Sequence, residues 1–526
     1  MRHIADSTWT QLFLYNSDSL TLPIFRQALN SKAPLMWVSS SQFLLFPEGL
    51  VYAISSILTD SIRASLVFNA YLNVVILYVL IRWTLGQFKD ISNIFQRIFS
   101  LSCCLLLIFY MVLERRANIN SSSIATLFLF TTYYYGVMLS GVALLGIILF
   151  QLKYYELSVK VRIVTIISFL LASLSTFSDP LFAIEVLLPL IITIILVFIL
   201  SNLKFRKLLL ISLPPIIGGI IGYVARSPFH YFIGQSTTNH ISTYDIPITL
   251  TIFHDSIKMD LSNLSGSIEL FLILLIILFS LVYSLIWIYK KIHFNPKRQD
   301  IRLLILSMFS FISSIWAITF SILGGSETTR YLTLIAIFPL LGLIPLLYLR
   351  LIKKWRKYII IIFSVMIVAI AYLGISSLKD ATKLLSTSTY QAPSCLAKAL
   401  NYKPAYGVGS YWTVRPLDLY GKPDEQALQV MPNLAVFPWQ ANAGAYDNKT
   451  FTFILVNKVD SFQSITSNDI YLPPDPSKIS SCNSFYVYQY AVHSKGYRYL
   501  NKTIQQTYKR VLTLRSSDNL ASSNYF

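Results

Sequence analysis

The segment Leu181–Ser201, LFAIEVLLPLIITIILVFILS, contains a single charged residue, Glu185. A helix of this length rises by about 30 Å, which matches the hydrocarbon thickness of a bilayer. Further apolar segments of similar length lie at about 64–82, 98–113, 131–151, 162–178, 207–225, 267–289, 303–323, 331–349 and 358–376. The chain is therefore predicted to be a polytopic α-helical membrane protein with about ten or eleven transmembrane helices.

The composition supports a membrane protein and disfavours a soluble one. Of the 526 residues, 55% are hydrophobic and only 13% are charged, whereas about a quarter of the residues in a soluble domain are charged. The net charge of +19 is distributed in short basic clusters between apolar segments, as in the cytoplasmic loops of membrane proteins. We therefore predict a lipid bilayer, and no nucleic acid, as a partner.

The basic clusters also predict an orientation. They lie at 82–97, 153–162, 204–207, 290–302 and 350–357. If the segments above cross the membrane, all five clusters fall on one side, which is then cytoplasmic. We predict a multi-pass protein of the cell (plasma or inner) membrane, with residues 1–62 and the C-terminal region outside.

The segment Phe43–Leu58, FLLFPEGLVYAISSIL, decides this topology. It is short and interrupted by Pro47, Glu48 and Gly49, so we interpret residues 1–62 as an extracytoplasmic loop that ends in an amphipathic surface helix over 43–58. The alternative is an eleventh crossing, which would move the N-terminus to the cytoplasm. An outer segment of this length without a preceding helix also leads us to expect a first helix upstream.

Residues 63–378 form the predicted transmembrane domain, and the sequence changes character after them. Phe451–Val456 and Phe485–Tyr490 are strand-length segments rich in β-branched and aromatic residues, and Tyr406–Gly409 is predicted as a turn. Residues 379–526 are therefore predicted to form an extracytoplasmic soluble domain that is α/β or mostly β. Cys395 and Cys482 could pair there if the compartment is oxidising.

Asp18, in the polar stretch Leu14–Pro23, is the candidate catalytic residue. Asn-Ser-Asp-Ser also suits a turn, so a structural role is the simpler interpretation. The functional hypothesis is a general base, or a metal ligand, at the outer face of the membrane. No metal-ligand cluster is assigned, and the use of a divalent metal is left open.

Arginines predicted on the outer side oppose the usual charge distribution, and they are the candidate substrate-binding residues. These are Arg115, Arg116, Arg226 and Arg330, together with Asp179 in the turn Ser178-Asp-Pro180. Structural ion pairs would explain the arginines equally well, and a helix cap would explain Asp179. The functional hypothesis is a clamp on a lipid-linked phosphate, because guanidinium groups bind phosphate oxygens in pairs. Glu185 is an additional candidate as an acid within a membrane segment.

The layout resembles the GT-C superfamily of multi-pass, polyprenyl-phosphate-sugar-dependent glycosyltransferases. Asn16-Ser-Asp18 lies where that family has an acidic motif in its first outer loop, and Phe43–Leu58 is similar to its surface helix. Thr329-Arg330-Tyr331-Leu332 is similar to the start of a late helix in bacterial members. Gly409-Ser-Tyr-Trp412 with Arg415-Pro416 also resembles segments of such proteins. A departure is Asn16, which replaces the first acid of the family motif.

The resemblance implies an integral-membrane enzyme with Asp18 as its catalytic acid/base. Its donor would be a polyprenyl-phosphate-linked sugar, bound through Arg330 and through Arg115 or Arg116. Its acceptor would be a cell-envelope glycan, a lipid or a protein on the outer face. The alternative is a non-enzymatic multi-pass protein, such as a transporter or a polysaccharide export or assembly component.

Overall fold

The computed structural model describes most of the chain. The described residues are 4, 9–88, 91–114, 124–154, 159–201, 205–233, 246–294, 301–324, 329–348, 390–422, 425–458, 465 and 472–516, with single positions between 358 and 385. They fall into two compact units. The helical unit takes the described residues of Met1–Trp9, Leu44–Arg226 and Asn239–Leu384, and the sheet unit takes those of Thr10–Phe43, Ser227–Thr238 and Leu385–Phe526.

The helical unit consists of long apolar helices, one short π-helical segment and one kinked turn. Its α-helices are α3 (Leu50–Ile57), α4 (Ile62–Leu85), α5 (Asn93–Leu113), α6 (Tyr135–Lys153), α7 (Val159–Ser178), α8 (Leu188–Leu200), α9 (Phe205–Val224), α10 (Ile246–Leu261), α11 (Leu264–Phe294), α12 (Ile301–Leu323) and α13 (Leu334–Gly342). The π-helical segment Ala183–Leu187 precedes α8, and the kinked turn Leu45–Gly49, in which Phe46 is extended, precedes α3. Short 3-10 turns occur at Thr126–Leu129, Thr329–Leu332 and Ile344–Tyr348.

The multi-pass prediction is confirmed for the part of the chain that the structure describes. Nine helical stretches there are long and apolar enough to cross a membrane, and each overlaps a segment predicted from hydropathy. The tenth predicted crossing, 358–376, lies largely outside the described residues. A large majority of α6 is buried, whereas α7 exposes Ile163, Ile166 and Leu170 along one side, as expected for helices that contact lipid.

A helix is present within the segment for which a surface helix over 43–58 is predicted, and its position on a membrane surface stays a prediction. The apolar helical stretch Leu45–Ile57 is too short to count among the candidate spans. Leu44, just before this stretch, is left-handed, and the peptide bond between Phe46 and Pro47 within the stretch is cis. Glu48 within it is fully buried, so its acid does not form part of a polar surface.

The sheet unit combines helices and strands from distant parts of the chain. Its elements are α1 (Trp9–Tyr15, from Thr10 onward), α2 (Thr21–Leu29), β1 (Trp37–Val38), α14 (Ala392–Ala399), β2 (Ala405–Gly409), α15 (Tyr411–Tyr420), β3 (Glu425–Gln429), β4 (Ala441–Asn442), β5 (Phe453–Asn457), β6 (Lys478–Ser481), β7 (Phe485–Gln489) and α16 (Lys495–Ser516). Short 3-10 turns add Ser227–Phe232 and Ala443–Tyr446. The five-stranded sheet has the order β3-β2-β5-β7-β6, and β1 pairs with β4 in a second, two-stranded sheet.

Alternation along β5 gives the larger sheet two apolar faces. Ile454 and Val456 pack in one cluster with residues of α16, whereas Phe453 and Leu455 pack in another with residues of α14 and α15. Successive strand residues point to opposite faces, so the sheet lies between two helical layers. The predicted soluble domain is thus α/β, and both predicted strands are present.

Two details of this region differ from, or extend, the sequence prediction. Tyr406–Gly409, predicted as a turn, belongs to β2, which pairs in parallel with β3 and β5. Gly407 is needed there because a Cβ atom would lie 2.1 Å from the Phe453 ring. Cys395 and Cys482 form a disulfide with Cα atoms 5.9 Å apart, which is the pairing that the sequence allowed.

Candidate functional site

Asp18 lies in the sheet unit, in the turn between α1 and α2. Its backbone N–H donates to Asn16 Oδ1 at 2.9 Å, and its carbonyl accepts from the N–H of Thr21 at 3.1 Å. Asn16 therefore shapes the turn with its side chain, as Asx residues do. The Asp18 side chain is half-buried and is held by a second group.

That second group is the phenol of Tyr411, on the first turn of α15. Tyr411 Oη donates to Asp18 Oδ1 at 2.7 Å, and the Tyr411 carbonyl accepts from Ser17 Oγ at 2.8 Å. The same phenol oxygen accepts from Arg415 Nη1 at 2.7 Å. Tyr411 and Arg415 are four residues apart on one helix, a spacing that brings side chains together.

The proton directions in this network follow from the chemistry of its members. Arginine has only donors, so Tyr411 must accept from Arg415 and is left with one proton to give. Gln440 Oε1, 3.1 Å from the phenol, already accepts from Thr21 Oγ1 at 2.6 Å. The remaining acceptor, Asp18 Oδ1, is both closer and a carboxylate oxygen. A directed chain from Arg415 through Tyr411 to Asp18 results, and it orients the carboxylate.

Arg415 also has an acidic neighbour within α15, Asp418. Burial raises the pKa of Asp418 to about 7, and the positive charge of Arg415 partly offsets that rise. Arg415 itself is 3% exposed and also donates to Thr21 Oγ1 at 3.2 Å. In the sequence, Tyr411 and Arg415 are notable only for a resemblance, and no role is predicted for either residue.

Asp179 and Arg226 lie together in the helical unit. Asp179 Oδ1 accepts from the N–H of Leu181 at 3.0 Å, which is the capping role that the simpler hypothesis gave it. Arg226 Nη1 donates to the carbonyl of Phe177 at 2.6 Å. Burial raises the pKa of Asp179 to about 7 against the attraction of Arg226, and it lowers the pKa of Arg226 to about 10.

Arg330 is half-buried in the 3-10 turn Thr329–Leu332 of the same unit. Its guanidinium lies over the ring of Tyr331, 5.4 Å from the centroid. Tyr331 in turn stacks on Tyr134 with centroids 5.3 Å apart. The Arg-Tyr pair singled out in the sequence is thus a cation-π pair on an aromatic stack.

Arg115 and Arg116 lie outside the described residues, but Glu114 just before them is described. Its carboxylate accepts from the backbone N–H groups of Ala125 and Thr126 at 2.5 and 2.6 Å. Its carbonyl accepts from Trp9 Nε1 at 2.5 Å. Burial raises the pKa of Glu114, and these hydrogen bonds counter the rise. Glu114 therefore holds the start of the 3-10 turn Thr126–Leu129 in place.

The structure also brings Glu48 and Glu185 into the electrostatic neighbourhood of Asp179. From the sequence, Glu48 is predicted only to interrupt the surface helix, because a Pro-Glu-Gly triplet gives no indication that the glutamate is buried. Within the described ranges, no three Asp, Glu, His or Cys side chains are grouped closely enough to hold a metal ion. Comparison with family models, curated proteins and solved structures found no match to the chain.

Proposed function

We propose that the chain is an integral-membrane glycosyltransferase that uses a polyprenyl-phosphate-linked sugar as donor. The acceptor is a hydroxyl group of a cell-envelope glycan, a lipid or a protein on the outer face. The proposal rests on the multi-pass architecture, on the resemblance of the sequence to the GT-C superfamily, and above all on the environment of Asp18. A half-buried carboxylate oriented by a phenol, itself oriented by Arg415, suits a general base.

In the proposed reaction, Asp18 accepts the proton of the acceptor hydroxyl while that oxygen attacks the anomeric carbon of the donor. The bond from the anomeric carbon to the phosphate oxygen breaks, and its electron pair leaves with the phosphate. Arg115, Arg116, Arg226 and Arg330 are the proposed ligands of that phosphate, with Asp179 orienting Arg226. Because the acceptor oxygen attacks from the side opposite to the departing phosphate, the anomeric configuration is inverted.

The test replaces Asp18 with Asn and Arg330 with Ala in separate variants of the full chain. Asp447→Asn is the matched control, because Asp447 is an exposed carboxylate of the same sheet unit. We expect the first two variants to abolish the glycan made by a host that depends on this chain, and the control to preserve it, at equal amounts of protein in the membrane. Unchanged glycans in Asp18→Asn would contradict the role of Asp18.

A second measurement tests the outer location that the mechanism requires. Lys32 is exposed and belongs to the same unit as Asp18. A cysteine at position 32 should react in intact cells with a reagent that does not cross the membrane. Reaction only after the cells are opened would place Asp18 on the cytoplasmic side and remove it from this reaction.

One observation favours the second candidate, a transporter or a polysaccharide export component. Glu185 and Glu269 are both buried within candidate spans, and acids in such positions often belong to ion or substrate pathways. Normal glycan chemistry in Asp18→Asn combined with impaired export in Glu185→Gln would support this candidate over the enzyme.

A further inference from the structure

Glu48 is placed in the interior of the helical unit by specific contacts. Its Oε1 accepts from the backbone N–H of Gly136 at 3.2 Å, and its carbonyl accepts from Tyr135 Oη at 3.1 Å. The neighbouring N–H of Phe46 donates to Ser178 Oγ at 2.8 Å, which fixes this segment next to Asp179. Glu48 Oε2 is buried and has no hydrogen-bond partner.

Asp179 and Glu185, like Glu48, are buried acids with one carboxyl oxygen that has no hydrogen-bond partner. They are 1% and 2% exposed, and each has one buried oxygen, Asp179 Oδ2 and Glu185 Oε1, without a partner. Glu185 lies in the single π-helical turn Ala183–Leu187, and such turns are common at functional sites. Glu48 lies in the kinked turn Leu45–Gly49, where Phe46 has extended dihedral angles. Asp179 interacts electrostatically with both glutamates.

The balance of charge around the three acids is unfavourable for three carboxylates. Arg226, next to Asp179, supplies one positive charge. The neutral phenol of Tyr135 faces Glu48, and Tyr52 and Tyr223 are the other titratable tyrosines on packed elements. The remaining cations described on the packed helices α6, α7, α9 and α12 lie at the opposite ends of these helices. With a rise of 1.5 Å per residue, that is roughly 20–30 Å from the three acids. These cations are Lys153, Lys160, Arg162, Arg206, Lys207 and Arg302.

We infer that Glu48, Asp179 and Glu185 form a buried proton-binding site in the helical unit. One arginine can balance one carboxylate, and an ionised carboxylate with an unpartnered buried oxygen is strongly unfavourable. The other carboxyl groups therefore hold protons near neutral pH and release them when the local charge changes. The site shares Asp179 and its neighbour Arg226 with the proposed phosphate site, but proton binding does not depend on the role of Asp18, so the two proposals can fail separately.

The two acids outside the candidate spans agree with this assignment. Burial, reinforced by the negative charge of Asp179, raises the pKa of Glu48 to about 8. Burial raises the pKa of Asp179 to about 7. Both groups should therefore change protonation between about pH 6 and 9, well above the range of ordinary carboxyl groups.

Infrared spectroscopy of the full chain in lipid nanodiscs tests the site directly. The carbonyl band of protonated carboxyl groups is recorded from pH 5 to 9 in wild type, Glu48→Gln, Asp179→Asn and Glu185→Gln. In each variant the intensity of the band from protonated carboxyl groups should fall by the contribution of one group. In Glu48→Gln and Asp179→Asn, the lost intensity should be the part of the band that disappears between pH 6 and 9 in wild type. Asp60→Asn, which removes an exposed carboxylate, should leave that part unchanged.

Two results would overturn the inference. The first is a band above pH 6 with the same amplitude in wild type and in all three variants. The second is a titration that shifts with sodium or potassium concentration at constant ionic strength, because the site would then bind a metal cation in place of protons. If Glu48→Gln does not fold, Arg226→Gln provides a further measure, since removal of the positive charge should move the Asp179 titration to higher pH.

Discussion

Replacing Gly136 with Ala should destabilise the helical unit through Glu48 alone. Gly136 lies near the start of α6, and its backbone N–H donates to Glu48 Oε1. An added Cβ atom would lie 2.3 Å from Glu48 Cδ and Oε1 and 2.5 Å from Oε2. The carboxyl group would have to leave this position, because three of its atoms cannot coexist with a methyl group.

Three effects set the magnitude. Overpacking a buried site typically costs about 1–3 kcal/mol, and the lost hydrogen bond adds about 1 kcal/mol. Alanine in place of glycine within a helix returns at most about 1 kcal/mol. We therefore expect a net loss of about 1–3 kcal/mol of stability, so the clash outweighs the gain in helix propensity.

A double-mutant cycle with Glu48→Ala isolates this contact. The thermal unfolding midpoint of the purified protein is measured for both single variants and the double variant. Because Glu48→Ala removes the atoms that the new Cβ atom would meet, Gly136→Ala should no longer destabilise in that background. Gly86→Ala is the control, since its Cβ atom would lie no closer than 3.2 Å to another atom. An equal loss with and without the Glu48 carboxyl group would refute the reasoning.

Three further predictions follow from other contacts. The raised pKa of Glu48 means that the folded state binds a proton that the unfolded chain releases, so the free energy of unfolding should fall as pH rises from about 4.5 to about 8. The upper limit of this loss is about 5 kcal/mol. Glu48→Gln should flatten this part of a curve of stability against pH, and an unchanged curve would contradict the assignment. Breaking the disulfide with Cys395→Ser and Cys482→Ser, 87 residues apart, should lower the stability of the sheet unit by about 3–5 kcal/mol, measured by protease resistance of that unit, and equal resistance would argue against the pairing. Asn501 donates to and accepts from the backbone of Phe451 at 2.9 and 2.8 Å, so Asn501→Ala should cost about 1–3 kcal/mol. Lys502→Ala, at the next and exposed position of the same helix, should have little effect in the same assay.

The membrane helices and the two most apolar strands could be predicted from the sequence because their signals are local. A segment such as Ala183–Leu200 carries enough hydropathy to identify itself without knowledge of its neighbours. The same holds for Phe453–Asn457, whose alternating side chains serve both faces of the sheet. Gly407 misled the prediction because its partner, the Phe453 ring, is far away in the sequence.

The candidate sites depended on partners that the sequence could not pair. Asp18 was identified from the composition of its turn, but its hydrogen bond to Tyr411 spans 393 positions. Glu48 drew attention only as a break in an apolar run, and its burial depends on Gly136, Ser178 and their helices. Local patterns show which residue types are available, and only the fold decides which of them are brought together.

The sheet unit combines described residues of Thr10–Phe43 with residues of Ser227–Thr238 and Leu385–Phe526, and this has a consequence for biosynthesis. Ser17 bonds to Tyr411, 394 residues later, so a ribosome adding about 5–20 residues per second leaves the N-terminal segment without that partner for roughly 20–80 seconds. During that interval the apolar side chains of α2, such as Leu22 and Ile24, which are buried in the finished unit, lack the C-terminal part of that unit. The N-terminal part of the sheet unit therefore stays incomplete until the candidate spans between residues 62 and 346 have been synthesised.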